Sequence, residues 1–134
     1  MALADVIDQY VTAFGNMTGI VKCYADPPDS MSQFPCAMVY VQSGEMNATA
    51  GGSISIHTIV LEVHHSQNVL PKAVDEAKVW PERVMSALYN GGTFGGYVTA
   101  VRWPITYEVL GLSFGGELHY GMRFSIPTKV IGTL

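Results

Sequence analysis

The sequence predicts an α+β domain: a mostly antiparallel β-sheet with two helices packed on it, in the order α-β-β-β-α-β-β. Three observations carry this expectation. Residues 1–14 repeat apolar side chains every three or four positions, the spacing of a helix buried along one face. Leu118, Tyr120, Met122, Phe124 and Ile126 alternate with His119, Gly121, Arg123 and Ser125, the period of a half-buried strand. The apolar runs between them are joined mostly by short links rich in glycine and proline, which favour antiparallel neighbours. Helices on one side of such a sheet are the two-layer solution, and 134 residues without a repeat or linker make one domain.

In the first helix Leu3, Val6, Ile7, Tyr10, Val11 and Phe14 share a face. Asp5 and Asp8 suit its positive N-terminal end, and Gly15-Asn16 supplies the stop. A strand over Ile20–Tyr24 ends at Asp26-Pro27-Pro28-Asp29-Ser30, because two prolines remove two donors and fix the backbone outside a sheet interior. Cys36–Val41 reads as a buried strand, and Ser43–Gly52 as a loop of small residues. The third strand, Ser53–His65, carries a parity conflict: Ile54 and Ile56 share one face, Ile59, Leu61 and Val63 the other. A bulge near His57-Thr58 resolves it, as does a break between loop and core strand. A second helix is expected from about Leu70, with Pro71 in its first turn and Val74, Ala77, Val84 and Leu88 facing inward. Pro81 kinks or splits that helix. Gly91–Gly96 is a flexible connector, and the strand Tyr97–Val109 requires an edge or a break at Pro104.

Composition points to interfaces. Charged residues make up 13% of the chain, against about 25% in an average soluble protein. Gly, Ser, Thr, Asn and Tyr stand where Lys and Glu usually cover a small domain, a replacement typical of surfaces that become buried in assembly. A net charge of −4 opposes a broad phosphate-binding footprint. No apolar run reaches the ~20 residues of a membrane span, and the first residues lack a secretory pattern. Cys23 and Cys36 have no metal-ligand spacing and read as small buried hydrophobes of a reducing, cytoplasmic setting; a disulfide between them stays open.

The residues offer little chemistry. His64 and His65 point to opposite faces of a strand, so they cannot share a metal, and no local Asp, Glu or Cys completes a ligand set with His57 or His119. Glu62 is expected to face solvent or a partner. Gly111-Leu112-Ser113-Phe114-Gly115 fails the nucleophile-elbow spacing, and the glycines of 91–96 lack the Lys-Ser/Thr of a phosphate loop. No catalytic, cofactor-binding or metal-ligating residue is nominated.

Several landmarks nevertheless fall in a familiar order. Pro27-Pro28-Asp29-Ser30-Met31-Ser32 leads into Phe34-Pro35-Cys36-Ala37. A glycine-ended loop enters His57-Thr58-Ile59-Val60-Leu61-Glu62-Val63-His64. Leu110-Gly111-Leu112-Ser113-Phe114-Gly115-Gly116 precedes Tyr120-Gly121-Met122-Arg123-Phe124. This order resembles the tail-terminator, or tail-completion, proteins of long-tailed non-contractile bacteriophages. The resemblance implies a structural virion protein, without catalytic residues or cofactors, that assembles in the host cytoplasm as a hexameric ring. Such a ring caps the head-proximal end of the tail tube, stops its polymerisation and meets a head-completion or stopper protein, while the genome passes through the lumen without specific binding. A head-to-tail interface closes into a ring, and a weakly acidic conduit does not grip phosphate. Gly44, Glu45, Met46, Asn47 and Thr49 in the first loop, and Thr93 and Phe94 in the connector, are the candidate contacts to tube or lumen. His119 and Arg123 on the polar strand face are the candidate subunit contacts. The rivals are another neck or tail-tube ring component, and a small ligand-binding or enzymatic domain with Trp80, Trp103 and Tyr107 around a pocket.

Overall fold

The computed structural model of the chain describes residues 3–28, 34–49, 52–65, 75, 77–92, 94, 96, 98–114 and 117–132. Helix α1 (Leu3–Gly15) is followed by strands β1 (Lys22–Ala25), β2 (Cys36–Thr49) and β3 (Gly52–His64). Helix α2 (Trp80–Gly91) then leads to β4 (Ala100–Val101), β5 (Thr106–Phe114) and β6 (Glu117–Gly132). One sheet holds all six strands in the order β1-β2-β3-β6-β4, with β5 also on β6. Since β4 pairs Lys129 and Thr128 while β5 pairs Ser125 to Glu117, the two are successive pieces of one edge strand. They part around Pro104, as its missing N–H requires.

All pairings are antiparallel except β1 with β2, which is parallel and departs from the expectation of antiparallel neighbours. A parallel partner requires the chain to travel back along the strand, and segment 26–35 is long enough for that where a tight turn is not. β1 stops at Asp26, whose φ of 66° is tolerated by aspartate and whose amide donates to the Val39 carbonyl at 2.8 Å.

Both helices cover one sheet face. α1 buries Val6, Ile7, Tyr10 and Phe14, and α2 buries Trp80, Val84 and Leu88. They close over Ala37 and Val39 of β2, Ile59, Leu61 and Val63 of β3, and Met122, Phe124 and Ile126 of β6. The Tyr10 hydroxyl lies 2.7 Å from Thr128 Oγ1, tying α1 to β6 at the sheet surface. Pro81 stands in the first turn of α2, and the backbone turns at Lys78-Val79 just before it, so proline divides the helical region. The expected start at Leu70 and Pro71, and Val74, lie outside the described residues. No helix among the described residues is long and apolar enough to cross a membrane.

Two expectations about the first three strands are corrected. Ser43–Gly52 is not a loop: β2 runs to Thr49 and pairs back onto β3 from Gly52, forming the outer part of a long hairpin. The bulge lies not in β3 at His57-Thr58 but in β2, where the register shifts between Val41 and Ser43. β3 runs unshifted along β6 from Ser53 to His64. Its conflicting parities are two faces of one strand, both covered in its inner half: Ile59, Leu61 and Val63 below the helices, Val60, Glu62 and His64 on the opposite side.

Candidate functional site

The outer half of the β2–β3 hairpin forms an arm that continues the sheet beyond the end of β1, with β6 paired along its β3 side to Gly132. Residues 41–48 of β2 are all exposed, and among the described residues no strand pairs their outer edge, since β1 ends opposite Val39. Gly44, Glu45, Met46 and Asn47 are therefore accessible, but as strand residues in fixed register with His57, Ile56, Ser55 and Ile54. Thr49 closes β2 opposite Gly52. Pleat parity places Gly44 and Met46 on the helix-bearing side, and Glu45 and Asn47 on the other. Gly44 leaves room for its cross-strand neighbour: a β-carbon there would fall 2.6 Å from His57 Nδ1 and 2.9 Å from the Ile56 carbonyl oxygen. The His57 ring is held by Ser55 Oγ at 3.0 Å. Met46, 82% exposed, is the most accessible large apolar side chain of the described chain.

Phe94, the described candidate of the connector, does not join that surface. Thr93 lies outside the described residues. Phe94, nominated for tube or lumen contact, is only 4% exposed and packs edge-on against Tyr10, with centroids 4.8 Å apart at 90°. Its amide donates to Gly91 O at 2.9 Å, and its positive φ of 51° turns the ring back into the core. A β-carbon on Gly91 would overlap that ring, so this glycine is required by packing. Burying one aromatic outweighs the strain of one left-handed residue.

The polar face of β6 also differs from expectation. His119 lies opposite Leu112 in the β5–β6 ladder; its side chain is outside what the structure describes. Arg123 is not a free interface cation: its Nε donates to Glu62 Oε2 at 3.3 Å from the neighbouring strand. Glu62 does not face solvent. It is 7% exposed and also accepts from His64 Nε2 at 2.8 Å and from the Tyr40 hydroxyl. Burial alone raises its carboxyl pKa; the bonds from His64 and Tyr40 and the attraction of His64 and Arg123 outweigh this, leaving it below the usual value. Tyr40 is driven the other way, up to about 12, first by burial and then by its bond to the carboxylate. The network joins β2, β3 and β6 across the face opposite the helices. Glu62 and His64 share parity in the sequence, a signal that pairs them; Tyr40 and Arg123 join only through strand register.

At the other edge of the sheet an apolar groove of about 480 Å³ opens between α2 and the β4–β5 edge. Met85 and Leu88 form its helix wall, Trp103, Pro104 and Tyr107 its edge wall, and Phe124 lies at its floor. Trp103 and Tyr107 are each half-exposed, so they meet the expectation of aromatics around a pocket. Trp80 does not: it is buried, and its Nε1 donates to His65 Nε2 at 2.8 Å. The helix wall was not legible in sequence, because Met85 falls outside the inward stripe of Val84 and Leu88.

Cys23 and Cys36 are thiols on adjacent strands and are not joined in a disulfide. Cys23 lies opposite Ala37 on the helix side, whereas Cys36 packs with Met38 on the other, so the sheet separates them. Burial pushes both thiols up, Cys23 to about 12 with Cys36 adding to the effect, and Cys36 to about 11. A neutral thiol is a poor nucleophile. Titration of the folded chain with an aromatic disulfide reagent at pH 8 is expected to leave both unreacted over minutes, with two equivalents released on denaturation. Fast reaction of either thiol in the folded state would contradict this placement. Among the described residues no three His, Cys, Asp or Glu side chains gather as metal ligands. Compared with known families and with curated proteins, the chain matches no family and no curated protein significantly.

Proposed function

We propose that the chain is a structural subunit of a ring, of the kind that terminates a bacteriophage tail tube, rather than a catalyst. The observation that carries the reading is the pairing of a nearly uncharged strand edge, unpartnered among the described residues, on one side of the sheet with an exposed apolar groove on the other. Two unlike surfaces on opposite sides of one subunit are what a heterologous, ring-closing interface needs. The low charge and the motif order described above support the same reading, with six copies in the ring. In the proposed setting one ring face meets the tail-tube protein and the other a head-completion or stopper protein, in the virion neck. Genomic DNA crosses the lumen without specific binding.

The test combines light scattering of the purified chain with its addition to polymerising tail tubes. A ring of about six chains that caps one tube end and arrests growth is the expected result. Binding only to portal-side proteins, with no affinity for tube ends, would move the chain to another neck component. The groove favours a second reading, a pocket for a small apolar ligand. A strictly monomeric chain stabilised by such a ligand and indifferent to tubes would replace the ring.

A further inference from the structure

We infer that the ring joint is formed by the β2 arm of one copy lying along β4 and the break around Pro104 of the next, with Val41 covering the edge wall of the apolar groove and Met46 packed beside β4. The inference rests on the ring reading and names its contact. Three features of the chain identify the occupant of the groove as a second copy. The first is parity. Val41 and Met46 pair with Ile59 and Ser55 on the helix-bearing side of the sheet, and the groove opens on that same side at the opposite edge. Copies placed side by side with helices on one common face therefore bring these apolar side chains to that edge.

The second is level. Val41 stands across from Ile59, and Ile59 from Ile126, two residues along β6 from the pair of Phe124 with Tyr107 on the same face. A ring axis parallel to the strands keeps all copies at one height, so Val41 arrives just past the end of β1, beside the break around Pro104 that forms the edge wall of the groove. Met46 stands across from Ser55 and, through it, level with Val130, four residues or about 13 Å farther on, and so arrives beside β4. Strand direction also fits, because β5 runs antiparallel to β6, and β6 runs parallel to β2. The joint is antiparallel. Pro104 supplies no N–H and interrupts the edge, so side-chain packing replaces a continuous ladder there and discourages unspecific edge pairing.

The third is charge. Glu45 is the one charged residue of exposed stretch 41–48, on the face opposite the helices. Exposed Arg102, held in the ladder by its amide on Pro127 O at 2.8 Å, follows Ala100 and Val101 with the parity of that same face. The joint brings the two together across the edge. Each contact is modest alone, and a ring repeats it at every joint.

The experiment uses two full-length variants, Met46→Asp and Met85→Asp. Both replace exposed side chains, so their melting curves are expected to match the parent. Each alone is expected to weaken self-association by tenfold or more in light scattering. Mixed in equal amounts they are expected to form dimers and stop, because Met46→Asp retains an intact groove and Met85→Asp an intact arm. A photo-crosslinker in place of Met46 in the parent chain is expected to label residues 99–107 of a neighbouring copy. A parent that assembles into a ring while both variants assemble as well, or while the crosslinker labels elsewhere, overturns this joint and leaves the ring reading standing. A parent that stays monomeric alone and with tubes overturns both. Parent-like binding of a small apolar ligand by Met46→Asp, with none by Met85→Asp, in a chain that never self-associates assigns the groove to that ligand and ends the inference.

Discussion

Replacing Phe94 by alanine is expected to destabilise the folded chain by about 3–5 kcal/mol, the usual cost of removing a buried aromatic ring. The ring fills the space between Tyr10 of α1 and the Gly91 end of α2. A domain of this size then melts on the order of 10–20 °C lower. Chemical denaturation read by fluorescence measures the loss directly. The companion change Gly91→Ala acts on the same contact, because its new β-carbon overlaps the Phe94 ring, and is expected to cost about 1–3 kcal/mol. In a Phe94→Ala background that second cost should largely vanish, since the obstructing ring is gone. A Phe94→Ala chain as stable as the parent would show that the connector stays outside the core.

Glu62→Gln is the second large change expected. It keeps the shape of the side chain but removes the charge that His64, Tyr40 and Arg123 hold. Hydrogen bonds to a buried charged group contribute about 1.5–3 kcal/mol, and the half-exposed Arg123 adds little beyond that. The pH dependence follows from the direction of the Glu62 shift. A carboxyl held below its unfolded value adds stability that is fully present above the unfolded pKa and is lost as pH falls through the lower folded value. The parent should therefore exceed Glu62→Gln in stability at pH 7, with the gap closing as acid is added below about pH 4.5. A gap unchanged down to pH 3 would place the effect in packing rather than in charge.

Much of the fold was legible because periodicity reports burial without reference to partners. The α1 stripe, the alternation in β6 and the divisions at Pro81 and Pro104 are local consequences of sterics and apolar spacing. Reasoning from composition was less secure. Small residues in 43–52 suggested a loop, yet Gly44 serves as the space under His57 in a regular strand. Glycines in 91–96 suggested a flexible surface, yet they let the chain turn so that Phe94 enters the core. In both places glycine answered to a neighbouring ring, which no local pattern displays.

The same division applies to the surfaces proposed for assembly. By itself the sequence determined that this is an α+β domain with few charges, and that Gly44 to Asn47 lie near an accessible segment. Only the tertiary structure decided that this segment is an exposed strand whose outer edge no described strand pairs, that Arg123 is tied to a buried Glu62, and that Met85 joins Trp103 and Tyr107 around a groove. The reason is physical. Helix and strand periods follow from the backbone of a few successive residues, whereas an edge, a groove or a charge network exists only after distant segments have been placed in register.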